Sequence, residues 1–310
     1  MPLALPPIGS TTADVFAFGE SSLDFVVSLP TAPPVDGKVT ARGFEMRAGG
    51  QAATVAVGLA RQGWRSAYGG ALGDDRWGRD VRAALAAASV RAEIVTRRET
   101  PSRTAVVLVD LSTGQRTILE HRDPRLDLHV DDLPAAAVAG ARVLSVDATD
   151  ARAALALTRV AREHRVPSVL DVDQASDASR ALLAEVDIVV VGQAMLRELT
   201  GTADPGDGLA RLARLVPAPL VIVTLGPDGS LARVADREIG TRAFDVGSVR
   251  DTTGAGDAFR AGLIGGWLAA GADAQLADVL RFANVCAALN CRAIGAQTGL
   301  PTRAEIQALL

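Results

Sequence analysis

The sequence predicts an α/β fold with a mostly parallel central sheet and a small β-sheet lid. Three observations lead there. From residue 131 onward, short apolar runs alternate with helical periods of about 10–15 residues, the βαβ rhythm of a parallel sheet. Glycine clusters at Gly19, Gly49-Gly50, Gly226-Gly229 and Gly254-Gly256 fall at the carboxyl ends of expected strands, where ligands bind in open α/β sheets. Two polar, weakly alternating stretches, 35–47 and 103–122, are alike in character and suit a lid beside the main body.

Taken in order, 1–13 reads as a disordered leader, broken by prolines and lacking a cationic start, and 14–310 as a single domain. DVFAFG, 14–19, is a buried first strand ending in a glycine turn. GGQAATVAVGLARQG, 49–63, opens on two glycines and continues as an Ala/Val/Leu helix. SAYGGAL, 66–72, is a strand and 75–88 an amphipathic helix. TAVVLVD, 104–110, and QRTILE, 115–120, form a hairpin about LSTG. Strands follow at 141–146, 167–172, 186–191 and 219–225, with helices at 131–138, 150–164, 178–183, 193–200 and 206–215. An antiparallel ribbon at 230–235 and 238–244 precedes two long helices, 256–270 and 274–292.

Composition narrows the function. The 310 residues carry 32 basic and 36 acidic side chains, a net charge of −4, with no basic block, which argues against nucleic acid or an anionic membrane as partner. No apolar run reaches the ~18 residues of a membrane span. Cys286 and Cys291 lie in one helical pattern and read as buried apolar groups, as expected of a cytoplasmic protein. His121, His129 and His164 have no metal-ligand spacing. Lys38 is the only lysine and sits in DGKVT, so no Walker A loop exists and anion binding must use arginine, backbone N–H groups or a metal.

The chemistry concentrates at DTTGAGDAF, 251–259. Gly254, Ala255 and Gly256 can turn successive N–H groups toward one point, and the following helix adds the favourable end of its dipole. Asp257 then sits in the first helical turn. Its plain reading is a helix cap. Its functional reading is a base that takes a hydroxyl proton late, as that hydroxyl attacks a phosphoryl group beside the anion hole.

Read together, GGQAATVAVGLARQG, VTLGPDGS and DTTGAGDAFRAG resemble the ribokinase-like (PfkB) carbohydrate kinases across roughly 14–305, in that family's order and spacing. The resemblance implies a three-layer sandwich of about nine strands with a β-sheet lid, and ATP-dependent phosphorylation of a sugar hydroxyl with Mg²⁺. Carried over, Asp257 resembles the catalytic base and Gly254, Ala255 and Gly256 the anion hole. Asp24 resembles the acceptor of a sugar hydroxyl, with Gly49, Gly50, Gln51 and Thr54 beside the sugar. Thr224, Gly226 and Gly229 match the nucleotide loop, and Asn284 and Gly295 the adenine wall. Asp251 and the Thr253 carbonyl match a monovalent-cation (K⁺) site. Plainer readings stand beside these: a turn carboxylate for Asp24, an ordinary β-turn at 226–229, a polar helix residue for Asn284.

Departures matter too. Thr54 stands where most of the family has Asn, and Gly192 and Met195 replace its Asn-x-x-Glu motif, so Asp171 and Asp173 in LDVDQ are the candidate substitutes for organising Mg²⁺, with a strand-end turn as their plainer reading. Within the family the pattern is most similar to sulfofructose kinase and ketohexokinase, which implies a ketose. Glu120 on the lid would repel a sulfonate, while Arg103 and Arg122 offer positive charge. Expected alternatives are a nucleoside kinase of the same fold, marked by an aromatic-lined pocket from Phe16, Phe18, Phe25 or Phe44, and a non-catalytic sugar- or nucleotide-binding relative. A dinucleotide-binding oxidoreductase is disfavoured because FGESSLD lacks G-x-G-x-x-G. Exposed lid edges imply a homodimer through the lid.

Overall fold

A computed structural model describes residues 11–310; most of the expected leader, 1–10, lies outside the described residues. The body is a nine-stranded sheet, formed by β1 (Ala13–Phe18), β4 (Ser66–Gly73), β5 (Arg91–Arg97), β8 (Ala141–Asp147), β9 (Ser168–Val172), β10 (Ile188–Gly192), β11 (Leu220–Thr224), β12 (Ser230–Val234) and β13 (Arg237–Thr241). The lid is a four-stranded sheet of β2 (Ser22–Leu29), β3 (Gly43–Gly49), β6 (Thr104–Asp110) and β7 (Arg116–His121). Helices are α1 (Gln51–Arg61), α2 (Arg76–Ala87), α3 (Ala135–Ala139), α4 (Ala151–Glu163), α5 (Asp177–Leu183), α6 (Gln193–Thr200), α7 (Pro205–Leu215), α8 (Ala255–Ala270), α9 (Leu276–Asn290) and α10 (Arg303–Gln307).

Strand order in the body is β13-β12-β11-β10-β9-β8-β1-β4-β5, parallel except for the β11–β12–β13 ribbon. Successive side chains on a strand point to opposite faces. Phe16 and Phe18 therefore join Leu144 and Leu170 under α4, α5 and α7, while Val15, Val143 and Val169 join α1, α8 and α9 on the other face. The result is a three-layer α/β/α sandwich. Chain order reverses between β1 and β8, and in open α/β sheets that switch point is where ligands bind.

Two strands escape the sequence reading. β2 received no assignment from the sequence, which ended the first strand in a glycine turn; it is an inner strand of the lid, and Asp24 lies within it. β5, RAEIVTR, is a polar edge strand whose exposed face hides its alternation. Only 43–49 of the first lid stretch pairs as a strand. The helix expected at 131–138 is a 3₁₀ turn followed by α3, with Pro134 at its N-cap. No helix among the described residues is long and apolar enough to cross a membrane.

Candidate active site

Between lid and body lies a cleft of about 430 Å³. The lid contributes one face of its sheet. Asp24 pairs with Ala105 across β2–β6, and Ala105 with Glu120 across β6–β7, so the two carboxylates stand on the same, cleft-facing side. The opposite register places Phe44, Met46 and Leu119 on the outer face.

Asp24 is buried and accepts from Ser22 Oγ at 2.6 Å. Burial pushes its carboxyl up to about 6, against the pull of the Ser22 bond and Arg103. Gly49 makes room for it: a Cβ there would lie 2.0 Å from Asp24 Oδ2. Gly50, at φ +91, lets α1 begin against the β1–β2 turn; a Cβ would meet Ser21 Cα at 2.4 Å. Gln51 donates from Nε2 to Asp173 Oδ2 at 2.7 Å, and its Oε1 has no donor. Thr54, a turn further along α1, is fully buried and accepts from Gln297 Nε2 at 3.3 Å, so it sits behind the cleft wall.

Arg103 bridges body and lid. Its Nη1 is 2.6 Å from Glu20 Oε2 and its Nη2 donates to Glu120. Thr149 Oγ1 donates to the same Glu20 oxygen at 3.3 Å. Its charge, expected to be available to an anionic substrate, is thus shared by two carboxylates, and Arg122 pairs with Asp127. Beneath them the buried Asp147 accepts from the N–H groups of Glu20 at 2.7 Å, Thr149 at 3.0 Å and Ala52 at 3.3 Å, tying together the β1–β2 turn, the β8 end and α1.

Opposite stands the N-terminus of α8. Gly254 takes φ +74, the left-handed step that starts the helix. Ala255 departs from expectation: its N–H donates to Thr252 O at 3.2 Å to close this turn, and it does not line the cleft. Gly254, Gly256 and Asp257 do line it, and the N–H groups of Gly256 and Asp257 lie in the first turn, where a helix offers no acceptor. Asp257 is half-buried at the cleft floor, and desolvation pushes its carboxyl up to about 7; Arg260 opposes the shift, and Asp171 and Asp147 add to it.

Asp171 and Asp173 line the cleft as well. Asp171 Oδ2 is 3.8 Å from Arg260 Nη1, and burial raises Asp173 to about 6. Gly192 and Met195 line the wall where the Asn-x-x-Glu pair was missing. Thr224 lines the same cleft, while Gly226 and Gly229, at φ +58 and +98, turn the chain after β11. A second cavity of about 330 Å³ is bounded by Asn284, Thr241, Arg242, Phe244 and Arg281. Asn284 Nδ2 donates to Thr241 Oγ1 at 2.8 Å. Gly295 lies elsewhere: its N–H donates to Asp251 Oδ2 at 2.8 Å.

That bond belongs to a separate oxygen-rich loop. Asp251 is fully buried; Oδ1 accepts from Thr253 N at 2.8 Å and Oγ1 at 2.6 Å. No salt bridge to Asp251 is formed among the described residues. Asn290 Nδ2 donates to the carbonyls of Thr253 and Ala296, and its buried Oδ1 has no donor. A buried carboxylate with hydrogen bonds but no cationic partner, beside carbonyls and an orphaned acceptor, fits a monovalent cation.

Sequence reasoning missed Glu20, Asp147, Arg116 and Arg260. Asp147 had a signal, an aspartate ending a strand. Arg116 belongs to a lid strand and reaches the cleft only through tertiary placement, with Nη1 3.4 Å from Thr252 Oγ1.

The topology, the helix N-terminus without a lysine and the half-buried carboxylate beside it define a phosphotransferase of ribokinase-like fold. A family model described as "pfkB family carbohydrate kinase" matches residues 12–303, and the chain belongs to that family of carbohydrate kinases. A fructokinase of Klebsiella pneumoniae is 35% identical over 84% of this chain and 90% of its own. A fructokinase double mutant of Vibrio cholerae, solved with fructose, ADP and potassium ion, superposes with a TM-score of 0.78 at 25% identity over 97% of this chain and 99% of its own. Arabidopsis thaliana ribokinase, solved with ribose and ATP, shares the fold at TM-score 0.81 and 23% identity, over 96% and 98%.

Proposed function

We propose that this kinase transfers the γ-phosphoryl group of ATP to a hydroxyl of a neutral ketose of the fructose type. The carrying observation is the charge and shape of the cleft. Asp24 and Glu120 face it from the lid, Asp171, Asp173 and Asp257 from the body, and Arg103 is already shared between Glu20 and Glu120. Such a site accepts hydroxyls and repels a sulfonate or phosphate tail on the sugar. The relatives named fructokinase support the same class. No cleft-lining residue is aromatic; Phe16 and Phe18 are core residues, and Phe25 packs on Phe44 and Trp77, which disfavours a nucleoside.

In this reading Asp24 accepts a sugar hydroxyl and Gln51 Oε1 a second. Asp257 takes the proton of the attacking hydroxyl as the oxygen–phosphorus bond forms and the bond to ADP breaks. The open N–H groups of Gly254, Gly256 and Asp257 hold the charge on the transferring group, with Arg116 of the lid beside them. The nucleotide runs past Thr224 and the 226–229 turn toward Asn284, whose cavity takes the base. Mg²⁺ would supply phosphate charge neutralisation, with Asp171 and Asp173 the residues that would hold it, and K⁺ would fit the Asp251–Thr253 loop. The exposed Phe44, Met46 and Leu119 on the lid's outer face support a homodimer through the lid.

The test is an ADP-release assay with fructose, 6-deoxy-6-sulfofructose, ribose and adenosine. Fructose giving the highest kcat/KM supports the proposal. A preference for the sulfonated sugar or for adenosine overturns it.

A further inference from the structure

Among the described residues, the largest side chain that is fully buried belongs to an arginine, Arg260, on α8. A guanidinium withdrawn from water is costly unless paired and hydrogen-bonded, so its placement calls for a reason. It follows Asp257 by three residues, which sets both side chains on one helix face. Nη2 donates to Asp257 Oδ1 at 3.0 Å, and Nη1 donates to the Val146 carbonyl at the end of β8 at 3.3 Å. Nη1 also stands 3.8 Å from Asp171 Oδ2 on β9. One rigid, planar group thus ties the helix that carries the base to two strands of the sheet.

We propose that Arg260 is the positioning residue for the base: it holds Asp257 Oδ1, leaving Oδ2 aimed into the cleft, and it keeps the carboxylate charged among acidic neighbours. Those neighbours come from every side. Asp147 on β8, Asp171 on β9 and Glu20 in the β1–β2 turn disfavour the charge on Asp257, while Arg116 on β7 favours it. Arg260 is the only one of these in an ion pair with Asp257 among the described residues. Its fork geometry matters as much as its charge, because a lysine ammonium reaches one of Asp257 and the Val146 carbonyl but does not present two donors in a fixed plane.

This inference rests on the reading of Asp257 as the base, and the experiment separates the two. Arg260→Gln and Arg260→Lys are assayed for kcat, KM of both substrates, thermal midpoint and the pH profile of kcat, with Asp257→Asn alongside. For Arg260→Gln the expected kcat loss is about 100-fold, within the range of disabled general-base catalysis. Both KM values should stay within roughly 3-fold, and the acidic limb should move to higher pH because the cation that favours ionisation is gone. Arg260→Lys should lose about 10-fold in kcat with the limb near its wild-type position, since charge is kept and aim is lost. Adding Arg260→Gln to Asp257→Asn should cost nothing further. A folded Arg260→Gln protein with kcat within about 3-fold of wild type, or with an unmoved limb, overturns the proposal. So does an undiminished loss in the Asp257→Asn background. If Arg260→Gln does not fold, Arg260→Lys decides by the same kcat criterion; if neither folds, the role is structural and the proposal is abandoned. An active Asp257→Asn protein would instead overturn the reading of the base.

Discussion

Gly49→Ala probes the sugar site without touching a charged group. Gly49 ends β3 opposite Ser22, and its φ is not in the left-handed region, so its backbone accepts alanine. The obstacle is a single side chain. The new methyl would lie 2.0 Å from Asp24 Oδ2 and 2.7 Å from its Cγ, far inside van der Waals contact. Asp24 must swing away and give up its 2.6 Å bond from Ser22 Oγ. Overpacking of this kind costs about 1–3 kcal/mol of stability. The sugar loses a hydrogen bond to a charged group, about 1.5–3 kcal/mol, or roughly 10–150-fold in KM. KM for ATP should be unchanged, and kcat at saturating sugar should fall far less than kcat/KM. Steady-state kinetics with fructose reads all three. Because the methyl acts through Asp24, Gly49→Ala should add little to an Asp24→Ala background. An unchanged sugar KM, or full additivity with Asp24→Ala, would refute the placement of Asp24 against the sugar.

Three further outcomes follow from the same geometry. The base must be ionised, and burial pushes Asp257 up to about 7, so kcat/KM for the sugar should decline below about pH 7 and level off above it; a profile flat down to pH 5 would contradict this. Asp24, Asp173 and Asp257 are all raised, to about 6, 6 and 7, from an ordinary 3.8. Their contribution to stability is therefore full below about 3.8 and lost as pH rises through 6–7, so Asp24→Asn should raise Tm more at pH 8 than at pH 4. Arg103→Met strands the buried Glu20, and breaking such a buried pair costs about 3–5 kcal/mol; calorimetry should find Tm lower by roughly 5–8 °C in a chain of this length, and Glu20→Gln should restore part of it.

The parallel sheet was legible because β8 to β11 are buried on both faces and read as continuous apolar runs. The anion hole was legible because its glycines and Asp257 lie within one short segment. What stayed hidden is assembled across the chain. Asp24 was read as a sugar-hydroxyl acceptor without its strand, since nothing local says that SLDFVVSL pairs with residues eighty positions on. Ala255 was counted as an anion donor, yet its N–H closes the turn, a choice made by backbone geometry alone. Arg103 was read as free charge because Glu20 and Glu120 meet it only in the folded chain. Arg260 sits inside a recognised motif, but its burial between β8 and β9 belongs to the packing of α8 on the sheet.

The central claim is that Asp257 takes the proton of the hydroxyl attacking ATP. Turnover of Asp257→Asn, measured with fructose and ATP beside its thermal midpoint, tests it most directly. The amide keeps the shape and first-turn position and cannot accept the proton. The account predicts a kcat about 10²–10⁴-fold lower, both KM values little changed and a folded protein with Tm within a few degrees of wild type. A folded Asp257→Asn protein turning over at near the wild-type rate would contradict it and leave Asp257 as a helix cap.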